Sequence, residues 1–182
     1  LKRGDLSHEA LGLSPDTEIK DGIQLPEPFV EVTTKFESHD RPVDREEALA
    51  IANITPEEFR AITSAVLAID ELIDRRCAEI GLIHVDGKKE FALGEGRTPV
   101  LVDTLGTLDE DRWWDARALE EGEVRQLSKE FVRQHYISIG HLEKLEEARL
   151  HGTPEPPIPA LPDDLIAQTS ALYDDLATRI TG

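Results

Sequence analysis

The sequence of 182 residues contains no methionine and one cysteine, Cys77, and only 5% of its residues are aromatic. A single cysteine excludes an intrachain disulfide and fits a reducing, cytoplasmic location. No apolar run approaches the roughly 18 residues that a membrane span needs, so we expect no membrane-spanning segment. Because aromatic side chains are scarce, aliphatic residues must fill most of the core, and the 39% hydrophobic content is sufficient for this.

Basic residues are also few: the sequence has 20 Lys and Arg against 38 Asp and Glu, which gives a net charge of -18. Nucleic acids and anionic membrane surfaces bind to basic patches, so we expect neither as a partner. A phosphorylated small molecule remains compatible, because nearby cations and Mg²⁺ set the field of a site more than distant, screened charges do. The chain starts at Leu1, and we interpret it as part of a longer protein.

Helices are predicted in four places. The segment Thr55-Pro56-Glu57-Glu58 combines a cap, a first-turn proline and a capping-box glutamate, and apolar spacing continues the helix to about Ile80. Ser128 is expected to cap a helix that carries Phe131 to Ile139, and residues 141–150 form another. Residues 153–162 hold five prolines and predict an extended linker, after which a final helix begins near Asp163.

Strands are predicted where apolar and polar residues alternate. The pattern favours a strand over 29–35, a second over 82–91 and a third over 99–105. The glycines at 94 and 96 lie between the last two, so these strands should form a hairpin. Residues 111–115 are polar and aromatic and are predicted to form a loop. The fold class is therefore α+β, an antiparallel sheet with flanking helices, in a single domain over 1–182.

The strand 82–91 carries the most informative residues. Strict alternation places His84, Asp86, Lys88 and Glu90 on one face, and that face suits either open solvent or a working site because burying unpaired charge is costly. Asp103 interrupts an apolar run across the hairpin, so Glu90 and Asp103 could hold a divalent cation. The alternative is an edge strand with a solvated charged face, because charged side chains protect edge strands from aggregation. The residues alone leave both readings open.

Five segments, in order along the chain, resemble motifs of the SAICAR synthetase (phosphoribosylaminoimidazole-succinocarboxamide synthase) family. The resemblance runs from about Leu25 to the end of the sequence. It consists of Pro26-x-Pro28 to Lys35, the run Asp86-x-Lys88-x-Glu90-Phe91, Asp103 followed by Arg112-Trp113, Ser128-Lys129 to Arg133, and the proline-rich segment to Gly182. The sequence departs from the motifs at Gly87, at Ala92, and at Asp111, where the family usually has serine.

The resemblance implies the C-terminal part of a two-lobed fold, kinase-like or ATP-grasp-like, with the N-terminal lobe outside this chain. It implies an ATP-dependent ligase of purine biosynthesis that joins carboxyaminoimidazole ribotide to L-aspartate through an acyl phosphate, and a homodimer. Under the resemblance, the catalytic residues are Asp86 and Lys88. ATP and Mg²⁺ are the expected cofactors, with Lys35, Glu90 and Asp103 binding the nucleotide and the last two binding the metal. Arg112 is expected to bind the phosphate of the ribotide, and Lys129 and Arg133 are expected to bind substrate.

Two other functions compete with the ligase. A chain with half of the fold could be a non-catalytic remnant that serves as an interaction protein. Another ATP-using phosphotransferase could also display paired carboxylates at a metal site. Lys129 and Arg133 could equally form surface ion pairs, since they are spaced by one helical turn.

Overall fold

The computed structural model describes residues 6–20, 22–35, 37 and 40–182. The chain forms six α-helices and four strands in these residues, with short 3₁₀ turns at Glu9–Leu11 and Glu95–Arg97. The elements in order are α1 (Arg45–Ala52), α2 (Pro56–Glu79), β1 (Leu82–Gly87), β2 (Glu90–Leu93), β3 (Pro99–Val102), β4 (Asp111–Asp115), α3 (Ala116–Glu120), α4 (Glu130–Ser138), α5 (His141–His151) and α6 (Asp163–Thr181). Both strand pairs are antiparallel, which confirms the α+β class.

The long helix α2 follows the sequence prediction closely. Thr55 Oγ1 accepts a hydrogen bond from the Glu58 amide at 3.2 Å, and Glu58 Oε2 accepts one from the Thr55 amide at 2.7 Å. This reciprocal pair satisfies two amides that no helical carbonyl can reach. The helix ends at Glu79, and Gly81 adopts φ +69°, a left-handed conformation that glycine permits at a helix end.

The other predicted helices are also confirmed. Ser128 Oγ accepts a hydrogen bond from the Glu130 amide at 3.3 Å, although the N-cap residue of α4 is Lys129, one residue after the predicted cap. Helices α5 and α6 lie where the periodicity indicated, and the proline-rich segment between them contains no helix or strand. Helices α1 and α3 had not been predicted. Asp44 and Asp115 cap them through side-chain oxygens.

The strand predictions need three corrections. Residues 29–35 form no strand, and only an isolated bridge joins Thr33 to Pro42. The expected strand 82–91 is interrupted at residues 88 and 89, and its two parts pair with different partners. Residues 111–115, predicted as a loop, form β4 and pair with β1. A strand requires a partner for its backbone groups, and alternation in one segment does not identify that partner.

The chain divides into two compact units, described separately below. The first unit comprises Leu1–Leu72 and Lys89–Asp103, and the second comprises Ile73–Lys88 and Thr104–Gly182. The first contains the β2–β3 hairpin, in which Glu90 pairs with Val102 and Leu93 with Pro99. The second contains the β1–β4 pair, in which Leu82 faces Asp115 and Gly87 faces Asp111. The single domain over 1–182 stays a prediction.

The second unit holds an apolar core at the end of α2. Its buried members are Cys77, Leu82, Leu108, Trp113 and Leu176, and Leu176 is 0% exposed. Cys77 therefore packs as a small apolar side chain, as expected for a buried cysteine outside a disulfide. Trp113 lies on β4 with 2% exposure, so this aromatic residue is part of the core.

Two arginines join the ends of α2 and α6. Arg76 donates from Nε to the Ile180 carbonyl at 3.0 Å and from Nη2 to the Arg179 carbonyl at 3.1 Å. Arg179 in turn donates from Nη2 to the Ile80 carbonyl at 2.7 Å. Each guanidinium satisfies carbonyl groups that a helix end leaves without an internal partner.

Across the described ranges, which exclude residues 1–5, 21, 36, 38 and 39, no helix has the length and apolar character that a bilayer crossing requires.

Candidate active site

The first unit contains three predicted site residues, Lys35, Glu90 and Asp103. The Lys35 ammonium forms an ion pair with the Glu90 carboxylate, and their side chains are 52% and 16% exposed. Glu90 begins β2 and faces Val102, and Asp103 follows Val102 directly at the end of β3. The two carboxylates thus belong to neighbouring strand ends of one hairpin.

Asp103 has an unusual backbone conformation. Its φ is +68°, in the left-handed region that side chains with a Cβ adopt rarely. Strict alternation would direct Asp103 to the face opposite Glu90, because neighbouring residues of a strand alternate. The left-handed turn ends the alternation at this residue. Backbone strain of this kind often persists where a particular side chain is required.

The donor chemistry of these residues fits Mg²⁺. Mg²⁺ prefers oxygen ligands, commonly takes one or two carboxylates, and keeps its other positions for water and phosphate oxygens. Glu90 and Asp103 supply two carboxylates from adjacent strands, whose backbones lie about 4.8 Å apart in a sheet. The Lys35 ammonium against Glu90 adds positive charge, which favours an anionic ligand nearby.

The second unit contains the other five predicted residues. Arg112 on β4 holds Asp86 on β1 through a two-pronged ion pair, with Nε donating to Oδ1 at 2.8 Å and Nη2 donating to Oδ2. A bulge between His84 and Asp86 shifts the register so that Asp86 faces Arg112. The hydrogen bond that the Arg112 guanidinium donates to Asp86 raises the pKa of this guanidinium. Burial lowers that pKa, and the charges of Asp86 and Glu130 raise it further.

The Arg112–Asp86 pair is accessible to a ligand. The two side chains are 43% and 49% exposed. Exposed ion pairs contribute only about 0–1 kcal/mol. A phosphate could therefore share or displace Asp86 at low cost, and a planar guanidinium suits two-point contact with phosphate oxygens.

The remaining predicted residues contact their own chain. Lys88 extends the β1–β4 pairing, because its amide donates to the Glu110 carbonyl at 3.0 Å. The Lys129 ammonium donates to the Asp109 carbonyl. Arg133 donates to the buried Glu130 carboxylate at 2.7 Å, so it forms the intrahelical ion pair that was the alternative to substrate contact. Their substrate roles stay predictions.

His84 and Asp111 form a buried pair that sequence reasoning did not anticipate. Their side chains are 1% and 0% exposed, and the imidazole Nε2 lies 2.7 Å from Asp111 Oδ1. His84 Nδ1 lies 3.8 Å from Asp74 Oδ1, and the Trp113 ring centroid lies 5.1 Å from the imidazole. The available signal was a histidine within an apolar run together with an acid next to a motif arginine.

The loop before Arg112 is held on several sides. Asp111 Oδ2 accepts from the Gly106 amide at 2.7 Å, and the Asp111 amide donates to the Thr107 carbonyl at 2.9 Å. The Tyr173 hydroxyl of α6 donates to Asp109 Oδ1 at 3.0 Å. Burial raises the pKa of Tyr173 to about 12, with the hydrogen bond to Asp109 adding to it, so the phenol stays protonated as a donor.

Antiparallel strand pairs with flanking helices define an α+β protein. The family model described as SAICAR synthetase matches residues 4–148. The chain belongs to the SAICAR synthetase family.

Relatives and solved structures agree with this assignment. A Thermoplasma acidophilum protein named phosphoribosylaminoimidazole-succinocarboxamide synthase is 47% identical over 184 residues, which cover 100% of this chain and 61% of the relative. A structure described as SAICAR synthetase (Type-2) in complex with ADP matches with a TM-score of 0.58 and 28% identity, over 77% of this chain and 57% of that one. The SAICAR synthase of Saccharomyces cerevisiae, complexed with SAICAR, supports the fold with a TM-score of 0.70 at 22% identity, over 100% and 54% of the two chains. This chain thus spans less than two thirds of the lengths of these proteins.

Proposed function

We propose that the protein containing this chain is an ATP-dependent ligase that joins carboxyaminoimidazole ribotide to L-aspartate in purine biosynthesis. The observation that carries the proposal is the hairpin of Glu90 and Asp103, with Lys35 against Glu90, in a chain of the SAICAR synthetase family. The ADP complex of a family member supports ATP as the nucleotide. A cytoplasmic location and a homodimer stay predictions.

The residues of the first unit bind the nucleotide in this proposal. Glu90 and Asp103 hold Mg²⁺, which neutralises phosphate charge when bound. Lys35 contacts the nucleotide phosphates, where its ammonium offers three hydrogen-bond donors. Charge neutralisation of this kind lowers the barrier to phosphoryl transfer, because negative charge spreads over the transferred oxygens.

The residues of the second unit bind the ribotide. Arg112 binds the phosphate of the ribotide, and Asp86 orients the amine on its imidazole ring. Lys88 neutralises the carboxylate that accepts the γ-phosphoryl of ATP. The amine of L-aspartate then attacks the acyl phosphate and releases phosphate. Alignment of two anionic substrates accounts for a large part of the rate in such reactions.

A coupled ADP-release assay on the complete gene product tests the reaction. ADP release should require the ribotide and L-aspartate together. Release that is indifferent to both substrates would show that the protein is not this ligase. That result would favour another ATP-using phosphotransferase. Absence of any nucleotide turnover would favour a non-catalytic interaction protein.

Variants of the hairpin test the metal assignment. Glu90→Gln and Asp103→Asn should each abolish Mg²⁺-dependent nucleotide binding, measured by calorimetric titration with and without Mg²⁺, because each removes one carboxylate charge. Glu95→Gln is the matched control, since Glu95 is an exposed acid in the turn of the same hairpin. Unchanged nucleotide affinity in both site variants would remove these residues from the metal site.

A further inference from the structure

The buried pair of His84 and Asp111 has no direct access to a substrate. Both side chains are almost fully excluded from solvent, at 1% and 0% exposure. A buried carboxylate is tolerated only where hydrogen bonds replace its lost hydration. Asp111 receives two such bonds, from the imidazole at 2.7 Å and from the Gly106 amide at 2.7 Å.

These two bonds connect β1 to the loop that precedes β4. His84 lies on β1 and faces Trp113, whereas Asp111 is the first residue of β4. Asp111 Oδ1 bonds to the β1 histidine, and Oδ2 bonds to Gly106 at the other end of the loop. One carboxylate therefore closes the loop from Gly106 to Asp111 and attaches it to the neighbouring strand.

Arg112 is the next residue along the chain, so the direction of its side chain depends on this attachment. Its guanidinium lies beside Asp86, and the side chain as a whole is 43% exposed. Near the surface, an arginine side chain otherwise samples many rotamers, and fixing its base reduces the entropy lost on binding a ligand. The pairing of Asp86 with Arg112 also occurs across the bulge next to His84.

We propose that His84 and Asp111 are positioning residues. Their buried pair holds the loop from Gly106 to Asp111 against β1 and thereby presents the Arg112 guanidinium to the phosphate of the ribotide. This inference rests on the proposed function for the identity of the ligand. The attachment of the loop rests on the contacts alone.

The test compares Michaelis constants of the complete protein for each of the three substrates. His84→Ala should raise the KM for the ribotide by about ten-fold, because displacement of a binding group by about 1 Å is enough for losses of this order or larger. The KM for ATP and the KM for L-aspartate should change by less than about two-fold, because sites that share no contacting residues act almost independently. His84→Gln can still donate from its amide to Asp111 and should restore most of the ribotide affinity. Asp111→Ala should match His84→Ala.

Two controls separate positioning from general loss of structure. His141→Ala removes another buried imidazole of the second unit, 6% exposed, and should leave the ribotide KM unchanged. In an Arg112→Ala background, His84→Ala should cause no further rise in ribotide KM, because the positioned group is gone. A proportional rise in all three constants, or an undiminished effect without Arg112, would overturn the proposal.

Hydrogen exchange provides a readout that is independent of the ligand. The amides from Gly106 to Asp111 should exchange at least about ten-fold faster in His84→Ala than in the unaltered protein or in His141→Ala, since local opening controls exchange. If the unaltered protein does not use the ribotide as a substrate, the proposed function is wrong. The exchange measurement still decides whether the pair of His84 and Asp111 holds the loop. Unaltered exchange in this loop would refute the positioning role.

Discussion

Asp103 allows the backbone and the carboxylate of the candidate metal site to be tested separately. Its φ of +68° lies in the left-handed region. Alanine in this region is less favourable than glycine by about 1 kcal/mol, after allowance for the greater freedom of glycine in the unfolded chain. Asparagine tolerates the region as well as aspartate does. Asp103→Ala should therefore be less stable than Asp103→Gly by about 1 kcal/mol, and Asp103→Asn should stay close to the unaltered protein.

Two assays on the same three variants complete this prediction. Thermal unfolding should place Asp103→Ala about 2–4 °C below Asp103→Gly, the shift that about 1 kcal/mol produces in a chain of this length. Calorimetric titration should show loss of Mg²⁺-dependent nucleotide binding in all three, because none keeps the carboxylate charge. Equal stability of the Ala and Gly variants would refute the strained backbone. Retained Mg²⁺-dependent binding would refute the metal ligand.

Two further predictions concern stability. Leu176→Ala should lower the free energy of unfolding by about 2–5 kcal/mol in a denaturant titration, because Leu176 is 0% exposed in the core, whereas Leu150→Ala at an 81% exposed position should have little effect. The hydrogen bond from Arg97, followed by that from the Thr55 amide, lowers the pKa of Glu58 from 4.5 to about 2. Its folded-state pKa is depressed, so its contribution is present above pH 4.5 and is lost as the pH falls towards 2. Glu58→Gln should therefore show less loss of stability between these pH values than the unaltered protein, and identical acid unfolding profiles would contradict the assignment.

The helices could be predicted because their signals are local. The Thr55–Glu58 box and Gly81 marked both ends of α2, and the structure contains the corresponding hydrogen bonds and left-handed turn. Helix α3 was missed because five residues give too little periodicity to detect. Its capping aspartate, Asp115, was the available signal.

The strands could not be assigned fully because pairing is not local. Residues 82–91 were predicted as one strand, yet β1 ends at Gly87 and β2 begins at Glu90, and the two pair with β4 and β3. Residues 111–115 contain three charged side chains, which argued for a loop. Asp111 is nevertheless buried because His84 and the Gly106 amide compensate its charge. The contacts between Lys35 and Glu90 and between Arg112 and Asp86 join residues named from the sequence, but neither contact was predicted.

The arginine contacts between α2 and α6 would hold these two helices together even if the chain were cut between them. Arg76 and Arg179 each donate to carbonyls at the end of the other helix. Leu176 of α6 also packs in the core that includes Cys77 of α2. The mostly exposed stretch before α6 takes no part in these contacts and tolerates a cut better than either helix does. A molecule nicked there keeps every one of these contacts, so the two pieces should remain associated under native conditions and separate only when denatured.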